Sequence, residues 1–155
     1  MRARYHVIVS TSVSLTLWAV VRSVPLAAGA WITGVLMDLD HVLEYFVQRG
    51  RLRRIEDLFH ASYNRVYTKA YLILHGWELL AVWATLGIVT SWNPWIVGGA
   101  IGFTHHLMLD QIWNRPSRWA YWLIWRACHR FSYDETFPPR TRRRRARSLD
   151  SRASP

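Results

Sequence analysis

The sequence predicts an all-α fold, namely a polytopic membrane helical bundle of about four transmembrane helices in two hairpins, with additional interfacial helices. Two apolar stretches, 70–90 and 94–113, approach the ~20 residues that a helix needs to cross a bilayer, and the short turn SWNP joins them. Two earlier apolar stretches, 7–21 and 26–47, form a similar pair, with Pro25 near the start of the second helix. The third observation is the position of the arginines, which orients these helices.

The basic segments fall on one side of the membrane if the four helices alternate in direction. MRAR precedes the first helix, the arginine-rich segment 48–69 follows the second, and NRPSR with the tail follows the fourth. The positive-inside rule makes that side cytoplasmic. A secretory signal peptide is the competing interpretation, with 7–21 as its apolar region and AGA at 28–30 as its cleavage site.

Composition divides the chain into a membrane-embedded domain, 1–137, and a densely basic tail, 138–155, that we expect to be disordered. The cytoplasmic linker 48–69 has apolar residues at helical spacing, which indicates an interfacial helix. The segment 118–131 suits another interfacial helix, and a short fifth span stays open. The net charge of +10 favours anionic lipid head groups as partners. The tail lacks interleaved aromatic residues, so we expect no specific nucleic acid.

Titratable residues within or beside the apolar helices are the main functional signal. Alternation of the helices places all of them near one leaflet, and several are spaced i,i+3 or i,i+4, which puts pairs on one helix face. Helical bundles build metal sites from such pairs. An unpaired acid in a membrane costs roughly 2.5–3.5 kcal/mol, whereas zinc binding contributes about 10–16 kcal/mol in peptides. The residues are His6; Asp38, Asp40, His41 and Glu44; His75 and Glu78; and His105, His106 and Asp110.

Three of these segments resemble a known family. MDLDH at 37–41, LHGWE at 74–78 and GFTHHLMLDQ at 102–111 resemble a group of small bacterial and archaeal membrane proteins. These are similar in turn to the membrane-bound metal-dependent hydrolases of the LexA-regulated inner-membrane type. That family shows an early His, then PDxDH-like, HRGxTHS-like and GxxxHLxxDxxT-like segments, and the order is the same here. Met37 stands where proline is usual, and HGWE replaces HRGxTHS.

The resemblance, which spans 6–111, implies a phosphoester hydrolase of a bacterial or archaeal inner membrane. It implies a divalent metal, zinc first, with manganese or iron as alternatives. The N-terminus, the site and the tail would be cytoplasmic. A metal-bound water would attack the phosphorus of a lipid head-group-like substrate, with Glu78 or a non-ligating aspartate such as Asp40 as general base. The expected ligands are Asp38, Asp40, His41, His75, His106, Asp110 and His6, and the expected phosphate-binding residues are Arg51, Arg53 and Arg54.

Two other classes of protein fit the same residues. A di-iron membrane redox enzyme also uses His and carboxylate pairs on helices, although it generally has more HxxHH-like clusters. A non-enzymatic membrane protein could use a buried polar network to move protons or ions. Iron content separates the first class from a hydrolase, and loss of metal without loss of fold or phenotype favours the second.

Overall fold

The computed structural model describes residues 3–51, 56–57, 67–114 and 116–138. Their regular structure is helical, and their strand pairing is limited to one isolated bridge between Lys69 and Ser132. The all-α prediction is therefore confirmed. The helices are α1 (Ala3–Val21), α2 (Val24–Leu36), α3 (Leu39–Arg49), α4 (Leu79–Val89), α5 (Pro94–Trp113), α6 (Leu123–Cys128) and α7 (Tyr133–Thr136).

The first predicted hairpin is present as α1 and α2, joined by a very short turn. Arg22 has a φ of 55°, and the Ser23 hydroxyl then accepts the Leu26 N–H at 3.4 Å to cap α2. Pro25 stands in the first turn of α2, where no backbone N–H is needed. The predicted helix over 26–47 is divided at Met37. The N–H groups of Asp40 and His41 donate to the carbonyls of Met37 and Asp38, three residues earlier, and this turn separates α2 from α3.

Glycines allow α5 to pack unusually close to α2. A Cβ atom on Gly98 would lie 2.1 Å from the Leu26 carbonyl oxygen, and one on Gly102 would lie 2.3 Å from that of Ala30. Small residues at a helix contact permit such an approach. On the remaining sides, α1 packs on α2 and α4 packs on α5. The tight α2–α5 contact fixes the height at which the polar residues of α5 meet those near the end of α2.

The predicted helix over 70–90 is wrong in its first half, because α4 begins at Leu79. The preceding residues form an irregular segment, 67–78, in which several N–H groups bond to residues outside the segment. The N–H groups of Tyr71 and Leu74 donate to carboxylates of α3, and that of Trp77 donates to the Tyr121 carbonyl. These partners replace the bonds that a helix would have supplied.

The other boundaries vary in their agreement with the predictions. The predicted helix over 94–113 is confirmed as α5. The interfacial helix expected over 118–131 is reduced to α6, which has six residues. Most of the linker 48–69 and all but the first residue of the tail 138–155 lie outside the described residues.

The main hydrophobic core lies between the irregular segment, α5 and the C-terminal residues. It contains Leu72, Phe103, Leu107, Tyr121 and Phe137. Among the described residues, one run, Val24–Arg49, is long and apolar enough to cross a membrane by length and composition. It comprises α2 and α3.

Candidate metal centre

Seven titratable side chains converge in one mostly buried cluster, although they come from five separate parts of the chain. α1 supplies one of them, the α2–α3 turn and α3 supply three, the irregular segment one, and α5 two. The structure therefore brings together every sequence-predicted metal ligand. They are His6, Asp38, Asp40, His41, His75, His106 and Asp110.

Asp110 lies at the centre of this cluster. Its Oδ1 atom is 3.1 Å from His6 Nε2, and its Oδ2 atom is 3.6 Å from His75 Nε2 and 3.9 Å from His106 Nε2. Neighbouring ligands of a tetrahedral zinc ion, bound at 2.0–2.1 Å, lie about 3.3 Å apart. The three distances from Asp110 are thus near the separation that ligands of a zinc-sized cation require.

The hydrogen bond of His106 determines which of its nitrogens can bind a metal. Its Nδ1 atom lies 2.8 Å from the Gly34 carbonyl oxygen. A carbonyl can only accept, so Nδ1 carries the proton and the lone pair of the neutral ring is on Nε2. Nε2 is buried, faces Asp38 Oδ1 at 3.5 Å, and makes no hydrogen bond with the described residues.

His75 repeats this arrangement with a carboxylate as its partner. Its Nδ1 atom lies 3.2 Å from Asp40 Oδ2, which also accepts the Leu74 N–H at 2.7 Å. The ring therefore donates to Asp40 and directs the lone pair of Nε2 towards Asp110. Nε2 is buried and has no hydrogen-bond partner in the described part of the chain. Carboxylates behind ligating histidines fix the ring and raise its basicity. Asp40 thus has the geometry of an orienting residue more than that of a ligand.

The ligand atoms form two adjoining groups. His6, His106 and Asp110 offer atoms within 4.8 Å of one another, and so do Asp38, His41 and His75. His41 Nδ1 lies 3.9 Å from Glu44 Oε2, while the other oxygen of Glu44 accepts the Tyr71 N–H at 2.8 Å. The two groups together offer ligand atoms for one cation or for two.

The chemistry of the donors fits a divalent metal ion. Imidazole nitrogens suit zinc and iron, and carboxylate oxygens also suit manganese. Buried carboxylates are costly without a cation, and buried imidazole nitrogens without a partner are costly as well. These His and Asp groups can therefore hold a metal ion, whose identity the mixed donor set does not select.

Glu78, the predicted general base, lies in a different place. Its two oxygens accept the N–H groups of Leu123 and Ile124 at 2.9 Å, so it caps the first turn of α6. Partial burial raises the pKa of Glu78, but these N–H donors outweigh that effect and hold it below the ordinary value of 4.5. Because α4 begins at Leu79, Glu78 does not share a helix face with His75 as predicted.

The remaining predicted residues are peripheral. His105 belongs to neither ligand group, and its ring bonds to the Ser10 hydroxyl at 3.0 Å and to the Ile101 carbonyl. Arg51 is exposed just after α3. Arg53 and Arg54 lie outside the described residues, so the phosphate-binding prediction for them stays a prediction.

Sequence reasoning missed Arg126, which is completely buried close to the cluster. The stretch WLIWRAC contained a usable signal, since an arginine within an apolar run needs partners if it is to be buried. It also missed Tyr121, whose ring lies 6.2 Å from that of His75 and whose hydroxyl accepts a bond from Asn114.

No family profile, curated protein or solved structure matches this chain. The functional argument therefore depends on the geometry of the cluster.

Proposed function

We propose that this protein is a membrane-embedded, metal-dependent hydrolase that acts on a phosphoester of the lipid head-group class at the cytoplasmic leaflet. One observation carries the proposal. His75 and His106 each use Nδ1 to donate to an acceptor of the protein, and each directs a buried Nε2 without a hydrogen bond towards a carboxylate. This is how ligating histidines are prepared for a metal.

The residues of the cluster have different proposed roles, as metal ligands and as a general base. A bound divalent ion would lower the pKa of its water towards ~7 and polarise a phosphoryl oxygen. His6, His75, His106 and Asp110 would hold it. Asp38 is better placed than Glu78 to take the proton of that water, because its carboxylate lies 3.5 Å from His106 Nε2, inside the cluster.

The open side of the cluster supports a lipid substrate. The side chains of Asp38 and His41 are 23% and 30% exposed, whereas those of His6, His75, His106 and Asp110 are buried. Exposed apolar residues stand beside this opening on α3 and on the irregular segment: Leu39, Leu43, Ile73 and Leu74. A phosphoester attached to acyl chains could reach the cluster from the leaflet along these side chains.

Membrane embedding of several helices is part of the proposal. Beyond the run Val24–Arg49, many large apolar side chains are exposed on the other long helices, which supports contact with lipid. They include Ile8, Leu15 and Val20 on α1, Ile88 and Val89 on α4, and Ile112 and Trp113 on α5. The proposal has about four spans, which rest on the apolar segments of the sequence, and a bacterial or archaeal membrane, which rests on the family resemblance. The arginine distribution supports an orientation with the N-terminus, site and tail in the cytoplasm. The resemblance to the inner-membrane hydrolases agrees with this proposal.

Metal analysis of the detergent-purified protein is the first test. We expect near-stoichiometric zinc or manganese by mass spectrometry, lost in H106A and in D110A. H129A is the matched control, because His129 is exposed and stacks on Trp125 at 3.9 Å. Release of phosphate or of a phosphorylated head group from phospholipid vesicles should then require the metal.

Each alternative predicts a different result. Stoichiometric iron with an optical spectrum would support the redox enzyme. Absence of metal after reconstitution with zinc, manganese and iron would refute both enzymes and leave a buried polar or ion site. Metal binding without hydrolysis of any phosphoester would support the metal centre and refute the hydrolase function.

A further inference from the structure

Arg126 on α6 is a buried cation that the proposed chemistry does not use. Its side chain has no exposed surface. The guanidinium donates from Nη1 to the Tyr71 carbonyl at 2.8 Å and from Nη2 to the His75 carbonyl at 3.0 Å. These two carbonyls mark the ends of the turn that carries the His75 imidazole.

That turn is held from opposite sides. From α3, Glu44 and Asp40 accept the N–H groups of Tyr71 and Leu74. From α6, Arg126 donates to the carbonyls. Within the turn itself, the His75 N–H donates to the Leu72 carbonyl at 2.9 Å. Because residues 67–78 are not helical, these external bonds set where the backbone of His75 lies.

We propose that Arg126 is a positioning residue for His75, which it holds at the distance from Asp110 that metal binding requires. The inference rests on the metal centre of the proposed function. Arginine suits this task because its planar guanidinium offers a rigid fork that spans two acceptors, whereas lysine offers a single compact ammonium group. Glu78 supports the arrangement by capping α6 at Leu123 and Ile124.

The C-terminal residues 116–138 consequently form one wall of the metal centre. Besides Arg126, this segment bonds to residues 67–78 through the Trp77 N–H to the Tyr121 carbonyl at 2.8 Å and the Ala70 N–H to the Phe131 carbonyl at 2.7 Å. A role confined to membrane anchoring would not require these inward-facing bonds.

The test uses the full-length protein in detergent, with Zn²⁺ and Co²⁺ as probes. The variants are R126Q, R126K, H75A and the double variant R126Q/H75A. R130Q is the matched control, since Arg130 lies on the same segment with an exposed side chain. Zn²⁺ affinity is measured by competition with a chromophoric chelator, and the visible spectrum of the Co²⁺ form reports the ligand geometry.

We expect R126Q to weaken Zn²⁺ binding about 10–100-fold, as loss of a residue that orients a ligand does. In the H75A background the same substitution should change affinity less than about threefold, because the two residues act as one unit. The Co²⁺ spectrum of R126Q should shift towards that of H75A. R126K should lose at least about threefold, and R130Q should match the wild type.

Unchanged Zn²⁺ affinity in a folded R126Q or R126K, with only a lower melting temperature, would overturn the proposal and leave Arg126 a purely structural role. The proposal would also be overturned if the affinity loss in R126Q/H75A equalled the product of the losses in the two single variants. If R126Q does not fold, R126K decides by the same criteria. Wild-type protein that binds neither ion would instead refute the metal centre itself.

Discussion

A single methyl group at Gly102 should disturb the metal centre from a distance. In G102A, the new Cβ atom would lie 2.3 Å from the Ala30 carbonyl oxygen and 2.9 Å from the Gly34 nitrogen. Both of these atoms belong to the backbone of α2, so no side chain can rotate to make room. The helices α2 and α5 must therefore separate.

The size of the separation follows from this contact. Moving a contact of 2.3 Å to the 3.0 Å that real Cβ atoms require shifts the backbones by at least about 0.7 Å. The bond from His106 Nδ1 to the Gly34 carbonyl, now 2.8 Å, would then reach about 3.5 Å if the shift is along it. Overpacking of this kind typically costs 1–3 kcal/mol, and a ligand that loses its orienting bond typically loses 10–100-fold in metal affinity.

The assay compares G102A with G99A, its neighbour on α5. A Cβ atom on Gly99 meets the end of the Trp83 ring at 2.5 Å, which is a side chain that can move. We expect G102A to lower both the melting temperature and the Zn²⁺ affinity, and G99A to retain the affinity. Wild-type affinity in G102A, or an equal loss in G99A, would refute the argument that the α2–α5 distance sets the geometry of His106.

Three further substitutions separate the roles of individual side chains. D40N should weaken Zn²⁺ binding about 10–100-fold, measured by chelator competition, because it removes the charge behind His75 while His6, His75, His106 and Asp110 stay. E78Q should lower kcat far less than the roughly 10²–10⁴-fold that loss of a general base would cost, because Glu78 acts on the cluster only through its cap on α6. The lower pKa of Glu78 stabilises the fold above pH 4.5 and that contribution is lost in acid, so the melting temperatures of E78Q and wild type should differ at pH 7 and converge as the pH falls below 4.5. H105A should retain full metal stoichiometry by mass spectrometry, because its ring bonds to Ser10 outside the cluster.

The sequence was sufficient to predict much of the cluster. Hydropathy and alternation placed His6, Asp38, His75 and Asp110 near one level of the bundle, and the structure brings them together. The helix over 94–113 was predicted from its apolar length and from the SWNP turn before it, and the structure shows that Asn93 in this turn caps the helix. These features are local, so one sequence records them.

The irregular segment 67–78 shows where this reasoning ends. Its apolar composition resembles that of a helix, and its actual shape depends on carboxylates of α3 and on Arg126, which lie far away along the chain. No local pattern records such partners. For the same reason, the capping role of Glu78 could not be inferred from its position three residues after His75.

The charges of the cluster connect its metal content with its substrate. Four carboxylates lie in it or beside it, those of Asp38, Asp40, Glu44 and Asp110, and the buried guanidinium of Arg126 supplies one positive charge. Glu78 also acts on this guanidinium, so the carboxylates outnumber the buried cation. Each divalent ion bound there would offset two of these negative charges, so a second ion would make the site more favourable to a phosphoester anion in a region of low dielectric constant. The metal-to-protein ratio is the measurement that reports how many ions are bound.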